Sequence, residues 1–311
     1  MSVSLLHLRH QGSNLAALGR IGMSAMGAVP TETPALPSPE QRAVIPAPDP
    51  KLVADFVRWS GGDPKMWRGR VPPHFFPQWG LPLLGRTLEG IPHPVAKVLN
   101  QGCRMTINGP LPAGEPLHVT ARLESMEADE RKVRLHQRLT TGPASQPDAL
   151  VADVYAVVPL PRTGESGPRR EAPRVPEDYR ELASFSARKN AGWEFALLTG
   201  DFNPVHWLGF YARMAGFKSV ILHGFATLAK ATEALVRHRL SGDVDALQSI
   251  DVRFVRPLVL PARARIFLGH KAFDDAHGIA VGSALGGPAC MLGRFTTVAG
   301  PADATTPRSE P

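Results

Sequence analysis

The 311-residue sequence contains few of the features that mark three common classes of protein. Its two cysteines, Cys103 and Cys290, are too few for a zinc cluster and require no disulfide, so we expect a reducing compartment. No apolar run approaches the ~20 residues that span a bilayer, so we expect no membrane partner. Lysines and arginines are scattered, and no basic run is interleaved with aromatic residues. This pattern argues against nucleic acid as a partner.

No acidic residue precedes Glu32 in the chain. The same stretch is rich in Ser, Gly, Ala and Pro and has no sustained apolar period. These features predict a disordered N-terminal segment, residues 1–41, that is dispensable for folding and activity. The composition also suits a mitochondrial transit peptide, and a later start at Met23 or Met26 is a further alternative. Without a transit peptide, we expect a cytoplasmic protein.

Proline, in contrast, is abundant, with 31 residues in the chain. Pro, Gly and charged residues dominate residues 161–178, which predicts a linker in which nothing is buried. Residues 300–311 are polar and predict a disordered tail. The chain is therefore divided into two halves, residues 42–160 and 179–299.

Each half begins with helical segments and continues with strands, which is an α+β pattern. In the first half the patterns predict a helix at residues 51–59 and strands at 117–123, 132–139 and 149–158. In the second half they predict helices at residues 190–198 and 225–235, and strands at 184–188, 249–256, 264–273, 278–284 and 290–298. The Phe56-Val-Arg-Trp-Ser-Gly sequence of the first half is echoed by Phe195-Ala-Leu-Leu-Thr-Gly in the second. We interpret this echo as an internal duplication.

Polar residues of the second half gather just after the predicted helix at residues 190–198. Asn203 before Pro204 predicts a helix start, because Asn caps helices well and Pro suits the first helical position. This start places His206 in the first helical turn, close to Asp201. Gly216 would end this helix.

A second helix is predicted to open at His223-Gly224. Its first N–H groups suit a developing oxyanion, since the helix dipole is positive there. Gly224 would let a substrate approach the backbone closely. Asp201 and His206 could hold one water molecule between them.

Each of these residues also has a purely structural interpretation. Asp201 or Asn203 alone would cap the helix at Pro204. His206 would be an ordinary first-turn histidine. His223 would only brace the loop that presents the Gly224 amide.

The sequence Asp-Phe-Asn-Pro-Val-His at residues 201–206, followed by His223-Gly224, resembles the MaoC-like family, the (R)-specific enoyl-CoA hydratases or hydratase 2. The resemblance implies the hot-dog fold, an antiparallel sheet wrapped around a long helix. Two halves imply a double hot-dog with two such sheets. The first half, residues 42–160, lacks an Asn-Pro-x-His element, so we expect it to be a degenerate half that lines the substrate pocket.

The resemblance also implies a hydro-lyase of fatty acid metabolism that uses no cofactor and no metal. Such an enzyme adds water reversibly to a 2-enoyl thioester, such as 2-enoyl-CoA, and gives the (R)-3-hydroxyacyl thioester. A thioesterase or an acyl-carrier-protein dehydratase on the same fold is the nearest alternative. A non-catalytic acyl-CoA-binding protein is the alternative from another class.

Residue roles follow from the same resemblance. Asp201 and His206 match the catalytic pair, Gly224 matches the oxyanion donor, and Asn203 matches a residue that orients the pair. The candidate substrate contacts are His223, Thr232, Phe225 and Trp79. Of these, Phe225 also lies on an apolar stripe that predicts core.

The expected partner is an acyl-CoA or acyl-carrier-protein thioester, and a homodimer is left open. The formal net charge of +7 suits the phosphates of such a substrate, although net charge alone also serves solubility.

Overall fold

The computed structural model describes most of the chain, namely residues 3–24, 34–160, 171–273 and 276–298. The predicted tail at 300–311 lies outside the described residues, as do residues 161–170 of the predicted linker. Within the described ranges, no helix is both long and apolar enough to cross a membrane.

The N-terminal segment is helical. A 3-10 helix at Leu5–His10 leads into helix α1 at Gly12–Ser24. The prediction of disorder over residues 1–41 is therefore wrong for residues 3–24. The apolar period that would reveal such a helix is missing because the inward-facing residues of the segment are largely polar. The buried polar side chains are those of His7, Gln11 and Asn14.

The first half contains two helices and five strands. They are β1 (Gln41–Ile45), α2 (Pro50–Ser60), α3 (Pro77–Arg86), β2 (Leu99–Ile107), β3 (Leu117–Ala128), β4 (Lys132–Gly142) and β5 (Leu150–Pro159). Asp49 begins α2 by accepting hydrogen bonds from two backbone N–H groups, and Gly61 ends it with φ of 97°. The helix predicted at residues 51–59 is thus confirmed.

The second half repeats this plan with three helices and seven strands. They are β6 (Tyr179–Ala187), α4 (Ala191–Thr199), α5 (Gly209–Met214), β7 (Ile221–Leu222), α6 (Gly224–His238), β8 (Leu247–Phe254), β9 (Leu258–Val259), β10 (Ala262–Phe273), β11 (Ala276–Gly282) and β12 (Ala289–Thr297). Residues 171–178 do not behave as a free linker. Val175 is buried against Phe267, and its N–H donates to the Gly287 carbonyl.

Ten strands form one continuous sheet in the order β1-β3-β4-β5-β2-β8-β12-β11-β10-β6. Read from the two edges inward, each half contributes five strands in the same topological order, which supports the duplication. All of the pairings are antiparallel, and β2 pairs with β8 at the centre. The fold is therefore the double hot-dog that the resemblance implied, and the sheets of its two halves are joined edge to edge.

The helices on the inner face of this sheet differ between the halves. The second half wraps around α6, which has 15 residues, whereas α3 of the first half has 10 residues and contains Pro82. One apolar core runs through both halves, and Phe76 of the first packs edge-on against Phe225 of the second at a ring-centroid distance of 5.2 Å. This contact lies one residue beyond the N-terminus of α6, where the polar motif of the second half converges.

Candidate active site

The end of helix α4 sets the position of Asp201. Gly200 adopts φ of 80°, and its N–H donates to the Ala196 carbonyl at 2.7 Å. Thr199 closes the same turn, since its hydroxyl donates to the Phe195 carbonyl at 2.9 Å. The chain therefore reverses at a left-handed glycine, and Asp201 emerges from the helix end.

Asn203 caps a short 3-10 helix at Pro204–His206. Its side-chain oxygen accepts a hydrogen bond from the N–H two residues later, at 3.3 Å. The predicted single helix ending at Gly216 is wrong in one respect, because the backbone leaves helical geometry at Trp207 with φ of −140°. Helix α5 then forms separately, and Gly216 follows its end with φ of 87°.

Asp201, His206 and His223 lie together, with their potential ligand atoms within 4.8 Å of one another. His206 Nδ1 donates to the Ile221 carbonyl at 2.9 Å, and His223 Nε2 donates to the Asp201 carbonyl at 3.0 Å. A carbonyl oxygen only accepts, so these bonds fix the tautomer of each neutral ring. His206 is left with an unprotonated Nε2.

The cluster fits a metal ion poorly in this arrangement. The rings of His206 and His223 stack at a centroid distance of 3.6 Å with 25° between their planes. An imidazole binds a metal through an in-plane lone pair, and two such stacked rings do not direct their lone pairs to one point. One nitrogen of each ring also donates to a backbone carbonyl.

Burial dominates the electrostatics of the cluster. It raises the pKa of Asp201, although the nearby His206 and the Asn203 N–H both oppose the rise. Burial lowers the pKa of His206 against the attraction of Asp201. It lowers the pKa of His223 well below the ordinary value, and His206 lowers it further. Both imidazoles are therefore neutral near pH 7.

Asp201 and His206 are the partly exposed residues of the cluster. The side chain of Asp201 keeps 23% of its surface exposed, whereas that of His223 keeps 1%. Water or a small reactant can thus approach the Asp201 side chain. His223 is shielded, and its Nδ1 has no hydrogen-bond partner among the described residues. Its bond to the Asp201 backbone supports the interpretation of His223 as a brace for the loop.

Helix α6 presents its N-terminus to the same cluster. His223 is the N-cap residue, and no side chain caps the helix. The first N–H groups of a helix have no intrahelical partner, so they are available to an oxyanion. A Cβ on Gly224 would clash with the Phe254 ring. Glycine is therefore required here for packing, in addition to the substrate approach that the sequence suggested.

Phe225 lies beside this N-terminus and is 4% exposed. It packs between Phe76 of the first half and Phe254 of β8. Phe225 is therefore a core residue.

The structure does not bring the last two candidate contacts to the cluster. Thr232 is buried and lies eight residues along α6 from Gly224, which is about 12 Å at the helical rise. Trp79 is buried in the core of the first half, where its indole N–H donates to the Thr141 hydroxyl at 3.1 Å. A direct contact of either side chain with the reacting atoms is therefore not supported.

Sequence reasoning missed Gly192, in the first turn of α4. A Cβ at this position would clash with the carbonyl oxygen of His206. The missing side chain therefore lets the 3-10 turn pack against α4. The only sequence signal was a glycine inside a predicted helix, which usually disfavours that helix.

Sequence reasoning also missed a polar contact between the halves, formed by Lys230, Trp59 and Glu194. The Lys230 ammonium of α6 donates to the Trp59 carbonyl at 2.7 Å. It also lies 4.0 Å from the centroid of the Trp59 indole ring. The Trp59 indole donates to Glu194 of α4 at 3.0 Å. Burial lowers the pKa of Lys230 to about 8, although Glu194 opposes the shift. The three residues are far apart in sequence, so no local pattern reveals the contact.

Residues 170–282 match the family model described as "MaoC like domain". The chain is 26% identical to 3-hydroxyacyl-thioester dehydratase X of Mycobacterium tuberculosis over 264 residues, which cover 83% of this chain and 89% of the relative. It is 41% identical to peroxisomal enoyl-CoA hydratase 2 of Arabidopsis thaliana over 58 residues, but this match spans only 19% of each protein.

The fold also matches solved structures over most of the chain. A crystal structure of a MaoC-like dehydratase from Phytophthora capsici aligns with a TM-score of 0.69 and 19% identity, covering 85% of this chain and 96% of that one. At this identity the likeness concerns the fold. The family match covers the residues of the Asp201 cluster, and the predicted resemblance is confirmed. Residues 170–282 therefore contain a MaoC-like domain.

Proposed function

We propose that the chain adds water reversibly to a 2-enoyl thioester and gives the (R)-3-hydroxyacyl thioester. One observation carries the proposal. The Asp201 carboxylate and the His206 imidazole lie in one cluster with His223, the residue that begins α6 and precedes its uncapped N-terminus. Acid–base groups and an oxyanion site are the two requirements of this reaction.

The chemistry follows from these positions. The Asp201–His206 pair takes a proton from a bound water as the water oxygen bonds to C3 of the enoyl group. The C2–C3 double bond shifts its electron pair toward the thioester oxygen, where the Gly224 N–H and the α6 dipole stabilise the negative charge. The pair then supplies a proton to C2. Coupled groups share their titration, so both proton transfers are assigned to the pair as a unit.

The neighbouring residues position this pair. Asn203 caps the turn that carries His206, and His223 holds the Asp201 backbone. Phe225 and Phe76 form an apolar contact beside α6. The names of the relatives, enoyl-CoA hydratase 2 and 3-hydroxyacyl-thioester dehydratase, describe opposite directions of one reaction.

An assay of crotonyl-CoA with the purified chain tests the proposal. We expect the absorbance of the conjugated enoyl thioester to fall, no free thiol to appear, and chromatography to identify the (R)-3-hydroxy product. Release of free thiol would replace the proposal with a thioesterase. Tight binding with unchanged absorbance, for crotonyl-CoA and for a crotonyl carrier protein, would replace it with a binding protein.

A further inference from the structure

The N-terminal segment, residues 3–24, contacts both halves of the molecule beside the loop that bears Asp201. His7 Nε2 pairs with Asp55 of α2 at 2.9 Å. Gln78 of α3 donates to the His10 carbonyl at 3.3 Å. The segment also contacts α4 of the second half through Gln11, whose side chain is fully buried.

Gln11 bonds the last turn of α4. Its Nε2 donates to the Leu197 carbonyl at 3.0 Å and to the Leu198 carbonyl at 3.2 Å. The last four carbonyls of a helix have no intrahelical partner, and Leu197 and Leu198 are buried away from water. A buried carbonyl left without a partner is costly. Gln11 therefore acts as a C-terminal cap supplied from a distant part of the chain.

Asn14 completes the contact of the N-terminal segment with α4, beside Gly200. Its Nδ2 donates to Gln11 Oε1 at 3.2 Å and to the Gln78 carbonyl at 2.9 Å. Its side chain also fills the space beside Gly200, where an added Cβ would clash with it. The left-handed turn that releases Asp201 is thus held from outside by Asn14 and Gln11.

The segment is anchored by polar rather than apolar contacts. Several of its leucines point outward and are at least 36% exposed, namely Leu5, Leu6, Leu8, Leu15 and Leu18. The buried polar residues instead recur at positions 7, 11 and 14, the spacing of one helical face. A segment that served only to bury apolar surface would show the opposite pattern. The directed hydrogen bonds are what fix its position.

We propose that Gln11 and Asn14 are positioning residues for Asp201, and that the N-terminal segment is therefore a working part of the active site. The inference rests on the proposed hydration. A displacement of about 1 Å in a reacting group can cost about 10²-fold in rate. Without the Gln11 bonds, the last turn of α4 frays and Asp201 loses its orientation toward the bound water, while the substrate-binding surfaces are unchanged.

Gln11→Leu and Gln11→Glu test the proposal, with Leu15→Ala as the matched control on the exposed face. Both Gln11 variants lose the N–H donor at nearly constant size, and Glu keeps an acceptor for Asn14. We expect kcat for crotonyl-CoA to fall at least ~10-fold in both, with KM within ~2-fold of the unaltered chain. The control should keep both constants. Rates are measured well below the melting temperature of each variant.

Hydrogen–deuterium exchange of the backbone amides from 199 to 205 provides a readout independent of activity. We expect faster exchange in both Gln11 variants and unchanged exchange in Leu15→Ala. Unchanged kcat and unchanged exchange in the Gln11 variants would overturn the positioning role. If the unaltered chain hydrates no enoyl thioester, the proposed function fails by itself, and faster exchange at 199–205 would still show that Gln11 holds the loop.

Discussion

At the scale of single residues, the proposed site depends on two neutral histidines, of which His223 is buried and His206 is partly buried. His206 donates through Nδ1 to a backbone carbonyl, so its Nε2 is free to accept a proton from water. Protonation of either ring would place a charge where burial disfavours it. The unfolded chain, in contrast, protonates its histidines near pH 6.5.

The pH dependence of activity follows from these shifts. The folded pKa of His206 lies below its ordinary value of 6.5, so the neutral form, which the proposed reaction requires, persists below that pH. We expect kcat/KM for hydration to be flat from about pH 8 to about pH 6.5 and to fall below it as the pair takes up a proton. A pH series with a stable enoyl thioester measures this. An acid limb with its midpoint above about pH 7 would contradict a His206 pKa lowered by burial.

The same shifts predict a loss of stability in acid. The pKa values of His206 and His223 are lower in the folded state, so the unfolded state binds more protons as the pH falls below about 6.5. The two histidines contribute fully to the free energy of unfolding above about pH 6.5. This contribution is lost as the pH falls through their folded pKa values. The raised pKa of Asp201 acts in the opposite sense, because protonation of the folded carboxyl becomes favourable as pH falls.

Gly192 offers a sharp test of the geometry around His206. In Gly192→Ala the new Cβ meets the His206 carbonyl oxygen, so the 3-10 turn must shift. We expect kcat to fall about 10-fold or more, although Ala is the better helix former. Gly209→Ala is the control, since its Cβ would have no neighbour closer than 3.6 Å. Equal rates for both variants would show that the turn tolerates displacement.

At the scale of elements, the loop between α4 and α6 is fixed at several points. Asn203 caps its 3-10 helix, Gly200 ends α4, and His223 bonds its backbone. The sequence predicted the Asn203 cap because helix caps have strong local signatures. It did not predict the break at Trp207, whose indole donates to the Phe202 carbonyl at 3.1 Å, because that contact is set by folding of the loop.

Asn203→Ala separates capping from catalysis. Loss of the cap is expected to lower stability by about 1 kcal/mol. The turn that carries His206 then loosens, and we expect kcat to fall more than stability alone would explain. Asn203→Ser keeps a capping oxygen and should recover both the melting temperature and kcat. If Asn203→Ser recovered stability while kcat stayed as low as in Asn203→Ala, the residue would act directly on the reactants.

The N-terminal segment shows where local patterns fail. Helices are usually recognised by an apolar stripe, and this segment buries amides and a histidine instead. Its partners are Asp55, Gln78 and the end of α4, none of which is near in sequence. Only the assembled fold identifies its buried face.

At the scale of the whole molecule, the two halves share one sheet and one core. The sequence predicted the duplication because the Phe-x-x-x-x-Gly motif is repeated, and the edge-to-edge pairing removes strand edges that would otherwise be exposed. The pairing of β2 with β8 and the polar contacts between halves were not predictable. One such contact is buried Glu233 of α6, which binds His74 at 3.1 Å and Trp67 at 3.2 Å in the first half.

We therefore expect the isolated second half not to form a soluble, active protein. A fragment of residues 171–311 exposes the β8 edge and leaves Glu233 without His74 and Trp67. We expect it to aggregate and to lack hydratase activity. Co-expression with residues 1–170 should restore soluble, active protein. A soluble, fully active fragment would show that the first half is not required.

Substitution of the proposed catalytic pair tests the central claim most directly. The initial rate of crotonyl-CoA hydration is compared for Asp201→Asn, His206→Gln and the double variant, with Asp178→Asn and His93→Gln as controls away from the site. We expect each single variant to lose about 10²–10⁴-fold in kcat with an unchanged melting curve. The double variant should lose little more than the worse single variant, because the pair acts as a unit. If both single variants kept more than half of the unaltered rate, the reaction would take place elsewhere on the molecule.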